Sequence, residues 1–182
     1  MTFLHLLFDL EAAMYNIGEK IMYGATGLME IVDLREEDIF GEPKQYYILR
    51  ALDSKNTSET YVPKDNERLV SMMRPLMTRE EIDDLLSKMR GGSLRPIEWN
   101  NDNRKRSEYF KGLLESGDRE GMLSMIITVY ENGIARREMG KKNFLVDENY
   151  MRKAEKLLSD ELSLVIGLTL AEIPGYLGNY EE

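Results

Sequence analysis

The feature that most constrains this fold is a change in hydrophobic periodicity at Arg74-Pro75. Upstream, short runs of β-type residues are interrupted by glycine, asparagine and aspartate, which is typical of short strands joined by tight turns. Downstream, apolar residues recur at the spacing of amphipathic helices. A chain of 182 residues is long enough for two small modules of these kinds. The pattern predicts an α+β protein with a small β-barrel or sheet followed by helices.

The predicted strands are short and lie close together in the sequence. They cover residues 20–23, 28–34, 45–52 and 57–62. Four glycines fall between these runs or at their edges, where a positive φ costs glycine least: Gly18, Gly24, Gly27 and Gly41. We interpret these glycines as turn residues.

The first predicted helix runs from Arg79 to Met89, with Thr78 as its N-cap and acidic residues in its first turn. Gly91 and Gly92 end this helix. The residues that precede Pro96 are expected to be extended, because proline disfavours helix in the residue before it. Further helices are predicted at 104–114, at 119–132 with Gly133 as its C-cap, from Asp147 or Glu148 to Ile166, and from Thr169 onward.

Composition excludes several kinds of chemistry. The chain has no cysteine and a single histidine, His5, and it contains none of the common nucleotide-binding, hydrolase or metalloprotease motifs. We therefore expect that the protein is not an enzyme and that it has no cofactor and no metal site. The net charge of -9 argues against a surface that grips nucleic acid through many phosphates, so any DNA contact must be local.

The first thirteen residues do not read as part of a domain. They contain a short apolar stretch but no basic segment before it, and they are too short to span a bilayer. We interpret residues 1–13 as an added leader or a misplaced start; the alternative is an amphipathic turn packed on the body of the protein. The absence of cysteine fits a reducing cytoplasm, and no membrane association is expected.

Trp99 stands in an unusually polar context, between Glu98 and Asn100 and shortly before Arg104-Lys105-Arg106. One interpretation is a tryptophan that seals the joint between the two modules. The other is an exposed wedge or stacking platform for bases, with the cations nearby contacting phosphates. A second basic set farther on includes Arg152 and Lys153, and by itself it is typical of a mixed, solvated face.

The order of these pieces resembles the CarD family of bacterial transcription regulators. The resemblance covers about residues 14–178 and rests on Tyr15 to Tyr23, Gly27 to Ile31, Tyr46 to Leu49, Val62-Pro63 with Asn66, Arg74-Pro75-Leu76, Ser116-Gly117-Asp118 and Glu161 to Leu164. It implies a Tudor-like (SH3-like) β-barrel domain that binds RNA polymerase, followed by an all-α helical bundle that contacts promoter DNA. The corresponding boundaries are 14–75 for the first domain, 76–98 for a helix and hinge, and 99–182 for the second.

The resemblance also implies partners and site residues. The expected partners are the RNA polymerase β subunit and promoter DNA, contacted in the minor groove near the upstream edge of the melted region by a monomeric, cytoplasmic protein. The implied DNA-binding residues are Trp99, Arg104, Lys105, Arg106, Arg152 and Lys153. The implied polymerase-binding residues are Glu37, Tyr61, Val62 and Pro63. The alternative function is a non-catalytic adaptor whose β module binds a different protein.

Overall fold

A computed structural model describes residues 15–39, 41–52, 58–168 and 171–172. The expected leader, residues 1–13, and the helix expected from Thr169 lie outside the described residues. The chain divides into two compact units. The first comprises the chain up to Ile21 together with Met29–Ser71, and the second comprises Met22–Leu28 together with the chain from Met72 onward.

Five strands form one sheet in the described part of the chain. They are β1 (Lys20–Tyr23), β2 (Gly27–Glu37), β3 (Lys44–Ala51), β4 (Glu59–Pro63) and β5 (Met73–Pro75). Their order is β4-β3-β2-β1-β5, and the β2–β3 and β3–β4 pairs are antiparallel. The four predicted strands are confirmed, with β2 longer than expected. The sheet is open, since β4 and β5 stand at its two ends, and does not close as a barrel.

The described helices are α1 (Glu67–Val70), α2 (Arg79–Arg90), α3 (Asn103–Ser116), α4 (Arg119–Glu138) and α5 (Leu145–Ile166). The N-cap prediction for α2 is confirmed, because the Thr78 side chain accepts from the Glu81 amide and Glu81 bonds back to the Thr78 amide. This reciprocal pair satisfies two amides that the helix leaves unbonded.

The expected end of α4 at Gly133 is wrong. The helix continues to Glu138, and Gly133 is buried in its interior. A Cβ at Gly133 would lie 3.0 Å from the Asn143 amide nitrogen. The glycine therefore serves close packing of the following connection rather than chain reversal.

The core of the second unit is one cluster that includes Met22 and side chains from α2 to α5. Its buried members are Met22, Met77, Ile82, Leu85, Leu86, Phe110, Leu113, Leu114, Met122, Leu123, Met125, Val129, Ala154, Leu157, Leu158 and Leu162. Residues 76–98, expected to form a helix and hinge, thus contribute core side chains through α2. The segment Met22–Leu28 also belongs to this unit, although the sequence placed it with the strands.

Candidate nucleic-acid interface

Trp99 lies in the extended segment that leads into α3, and its indole is half-buried. The ring stacks on Phe144, which occupies the N-cap position of α5 without a capping hydrogen bond from its side chain, with 6.2 Å between the ring centroids and 22° between their planes. An offset aromatic pair of this kind adds stability beyond the area it buries. One part of the indole is therefore fixed by the protein, and the rest borders a cavity.

Arg106 supports this pair of rings from inside the protein. Its guanidinium carbon lies 4.2 Å from the Trp99 ring centroid and 5.1 Å from that of Phe144. The residue is only 4% exposed, and its Nη2 group lies 2.7 Å from an Asp147 carboxylate oxygen. Nε also donates to the Asp147 carboxylate, which completes a two-pronged ion pair.

The remaining donors of Arg106 are largely used within the same cluster. Nη1 donates to the Asn100 carbonyl at 2.6 Å, and Nη2 donates to Asn103 Oδ1 at 2.9 Å. A guanidinium has five N–H donors, so little capacity is left for a phosphate. Most donors of Arg106 are therefore bonded within the protein, where the guanidinium lies against the Trp99 ring. Its predicted contact with DNA stays a prediction.

Local sequence explains how these groups converge. Asp102 caps α3 by accepting from the Arg104 and Lys105 amides. The helix then turns Arg106 inward, on the same face as the buried Phe110. The connection before α5 is held by Arg136, whose guanidinium lies 3.9 Å from the Phe144 ring centroid.

The other predicted DNA-binding cations are exposed. Arg104 forms an ion pair with Glu108 at 3.0 Å on the surface of α3, and Arg152 approaches Glu148 at 3.3 Å on α5. Exposed pairs of this kind are weak and exchange readily. Lys105 has no ion pair within the described part of the chain, and it borders the cavity beside Trp99.

Arg152 and Lys153 follow Asp147 on α5 but do not share its face. At 3.6 residues per turn they are rotated by about 140° and 240° from Asp147. Both are exposed, on the solvent side of the helix. The structure therefore brings together Trp99, Lys105 and Arg106, with Arg104 adjacent, and does not bring Arg152 or Lys153 against them.

The predicted polymerase-binding residues lie in the first unit. Tyr61, Val62 and Pro63 belong to β4, which pairs with β3 and stands at one end of the strand order. Tyr61 is 38% exposed, whereas Val62 is 0% exposed. Glu37 ends β2 opposite Lys44. Of this set, Val62 is available to a partner only through its backbone.

A charged group surrounds the Tyr61 hydroxyl. Arg35 donates to it at 3.4 Å, and the hydroxyl donates to a Glu59 carboxylate oxygen at the same distance. Arg35 also donates from Nε to Asp33 at 2.6 Å. The Arg35 hydrogen bond, with a second one from the Leu34 amide, lowers the pKa of Asp33 below its ordinary value.

Sequence reasoning missed Phe144 and Asp147 as parts of the Trp99 site. Phe144 precedes α5 without a recognisable capping side chain, and Asp147 reads as an ordinary acidic residue in a helix's first turn. Arg136, which also contacts the Phe144 ring, was not predicted to be part of this site. These residues are marked only by contacts that form in the folded protein, and a local sequence pattern does not contain that information.

No family model matches the chain, and a search of the curated proteins finds no match. The resemblance to the CarD family therefore rests on the order and spacing of the residues quoted above. None of the described helices has both the length and the apolar character needed to cross a bilayer. Within the described ranges, no group of three or more His, Asp or Glu residues could hold a metal ion.

Proposed function

We propose that this protein is a CarD-type transcription regulator that binds the RNA polymerase β subunit and stabilises the open promoter complex. In this proposal the first unit is a Tudor-like domain, and the helices of the second unit form a DNA-contacting bundle. The observation that carries the proposal is the mounting of Trp99. A partly open indole, fixed by Phe144 and a buried ion pair, is what a wedge against bases requires.

A wedge residue benefits from being held in one orientation before it meets DNA. A wedge that separates stacked bases must keep its orientation while the duplex pushes back, and side-chain freedom lost on binding would weaken it. Arg106 and Phe144 restrict the indole before DNA arrives. A residue that binds distorted DNA better than closed duplex shifts the equilibrium toward the open form. No catalytic step is needed.

The acidic composition is compatible with this proposal if the protein is tethered. A module anchored on the polymerase experiences a high effective concentration of promoter DNA and needs few phosphate contacts of its own. Lys105 and Arg104 supply local positive charge next to Trp99. The proposal also implies a cytoplasmic protein that acts as a monomer.

The deciding experiment measures promoter opening by the cognate polymerase with the full-length protein and its Trp99→Ala variant. Loss of one base–aromatic stack costs about 1 to 3 kcal/mol, so the ratio of open to closed complexes should fall about five- to hundred-fold. Trp99→Phe should restore part of the effect, because it retains a ring. Thermal melts of each variant identify any loss that is due to unfolding.

Tyr130→Ala is the matched control, since Tyr130 is an exposed aromatic residue on α4 that does not border the Trp99 cavity. It should leave promoter opening unchanged. If Trp99→Ala opens promoters as well as the wild type per folded molecule, the wedge proposal fails. Absence of any complex between the full-length protein and the polymerase β subunit would instead favour the adaptor function with a different partner.

A further inference from the structure

The cavity beside Trp99 has a volume of about 360 Å³ and lies wholly within the second unit. Its lining comes from the segment before α3, from α3 itself and from α4: Ile97, Glu98, Trp99, Asn100, Lys105, Arg106, Tyr109, Phe110 and Thr128. Sites for small organic ligands begin at about 300 Å³. The space suits one planar ring system with a short attached group, rather than a peptide segment.

Three aromatic side chains give the cavity its character. Trp99, Tyr109 and Phe110 all border it, and Tyr109 is 52% exposed, whereas Phe110 is 1% exposed. The aromatic lining therefore extends from the protein interior to the surface. Aromatic faces bind any nucleobase by stacking, since every base has a π-face.

The inner polar groups of the cavity are already bonded within the protein. The Thr128 hydroxyl donates to the Ser124 carbonyl at 2.6 Å and accepts from the Ile97 amide at 2.7 Å. Arg106 is occupied by Asp147 and its neighbours. A ligand that enters with an apolar face therefore leaves no inner polar group without a partner.

The rim of the cavity carries polar and charged groups that can contact the edge of a base and the adjoining phosphate. The Lys105 ammonium has no ion pair among the described residues, and its side chain lines the cavity. Glu98 and Asn100 also border the space and are exposed. A carboxylate accepts from an exocyclic amino group of a base, and an ammonium pairs with a phosphate.

We propose that this cavity receives one unpaired base of the melted promoter strand, with the adjoining phosphate beside Lys105. The inference rests on the proposed function and adds a second contact to the Trp99 wedge. A base inside the duplex cannot enter, because it is paired and stacked, so the site binds only opened DNA. Base capture then contributes directly to the preference for the open complex.

The experiment uses the complete polymerase–promoter complex with the full-length protein. A set of promoters carries a single abasic substitution at each position along the upstream edge of the melted region. For each promoter, the lifetime of the open complex is measured with and without the protein, and the ratio is the stimulation. At one position an abasic site should reduce the stimulation by about five- to hundred-fold, because it removes the free energy of one base–aromatic stack.

Tyr109→Ala should reduce the stimulation on the intact promoter and remove the added effect of that one abasic site. Tyr109→Phe should keep it, because the ring remains. Tyr130→Ala, which changes a similarly exposed tyrosine outside the cavity, should behave as the wild type. Thermal melts verify that each variant is folded.

The inference is overturned if no single abasic position changes the stimulation more than its neighbours do, or if Tyr109→Ala retains the abasic effect in full. Either result leaves the wedge intact, provided that Trp99→Ala still impairs promoter opening. Failure of Trp99→Ala to impair opening would remove the proposed function itself. A Tyr109→Ala variant that loses polymerase binding with no change in abasic sensitivity would assign the cavity to a protein side chain and also overturn the inference.

Discussion

Arg106 and Asp147 form a buried ion pair across 41 residues of sequence, with 2.7 Å between Nη2 and the nearer carboxylate oxygen. The pair joins the first turns of α3 and α5. Phe144 lies three residues before Asp147, and Arg106 lies over the Trp99 ring. The position of the indole is thus tied to the docking of two helices.

We predict that Asp147→Asn lowers the free energy of unfolding by about 3 to 5 kcal/mol, because it leaves the Arg106 charge buried without a counterion. Arg106→Lys should cost less stability but should release the indole, since an ammonium cannot reproduce the planar fork. Trp99 is the only tryptophan of the chain, so its fluorescence and its quenching by acrylamide report the change directly.

Arg104→Lys is the control for this measurement, since Arg104 is exposed on the same helix and pairs only with Glu108 among the described residues. It should change neither stability nor the emission of Trp99. If Arg106→Lys also leaves quenching and promoter opening unchanged, Arg106 does not position the indole.

The turn between α3 and α4 provides a second prediction. Gly117 ends α3 with φ of +65°, and a Cβ there would lie 1.7 Å from the Arg74 guanidinium carbon. Gly117→Ala should therefore lower the free energy of unfolding, measured with urea, by about 1 to 3 kcal/mol. Gly112→Ala, inside the same helix with open space around it, should instead raise stability by up to about 1 kcal/mol. Equal effects of the two substitutions would contradict this account.

The sequence predicted elements well where the signal is local. Strand bounds followed from short runs of β-type residues and the turn residues between them, and α2 followed from Thr78 and its acidic first turn. Gly133 misled the prediction of α4, because a glycine placed for tight packing looks the same in sequence as one that ends a helix. Local rules also could not assign Met22–Leu28 to the second unit, since that membership depends on tertiary contacts.

The site was predictable only in part for the same reason. Trp99 was recognised from its polar neighbours, and Lys105 from its charge. The burial of Arg106 was not, because its partner Asp147 lies far along the chain and no periodicity connects the two. The run Arg104-Lys105-Arg106 predicts one exposed basic surface. The helix instead directs Arg106 into the protein interior.

A third prediction concerns Glu161, which is 1% exposed in α5. It accepts from the Met77 amide at 2.8 Å and from Arg119 Nη2 at 2.6 Å. Glu161→Ala should cost about 3 to 5 kcal/mol of stability, since it leaves a buried amide and a partly buried charge without their acceptor. Ser163→Ala, two residues farther on the exposed side of the helix, should have little effect on urea unfolding. A Glu161→Ala variant as stable as Ser163→Ala would refute the prediction.

A fourth prediction is a dependence of stability on pH in the first unit. Since the pKa of Asp33 is lowered on folding, its contribution is present above the ordinary carboxylate range and is lost as pH falls through the lowered value. The melting temperature of Asp33→Asn should therefore lie below that of the wild type near pH 7 and approach it near about pH 2. If the difference in melting temperature between the wild type and Asp33→Asn grows as the pH falls, the ionised Asp33 carboxylate does not stabilise the fold.

The last prediction separates contact from packing on β4, where neighbouring residues face opposite ways. Tyr61→Ala removes an exposed ring and its weak hydrogen bonds with Arg35 and Glu59, so stability should fall by less than about 1.5 kcal/mol. If this strand binds the polymerase β subunit, affinity should fall at least about fivefold, because tyrosine is enriched among the interface residues whose truncation costs more than about 1 kcal/mol. Tyr61→Phe should retain most of the affinity.

Val62→Ala should show the opposite behaviour. Its side chain is fully buried, so truncation should cost about 2 kcal/mol of stability while affinity per folded molecule stays the same. Titration of the full-length variants with β subunit, paired with thermal melts, measures both quantities. Unchanged affinity for Tyr61→Ala together with a clear loss for a folded Val62→Ala would mean that the partner does not recognise the outward face of β4, and that the polymerase-binding surface lies elsewhere on the protein.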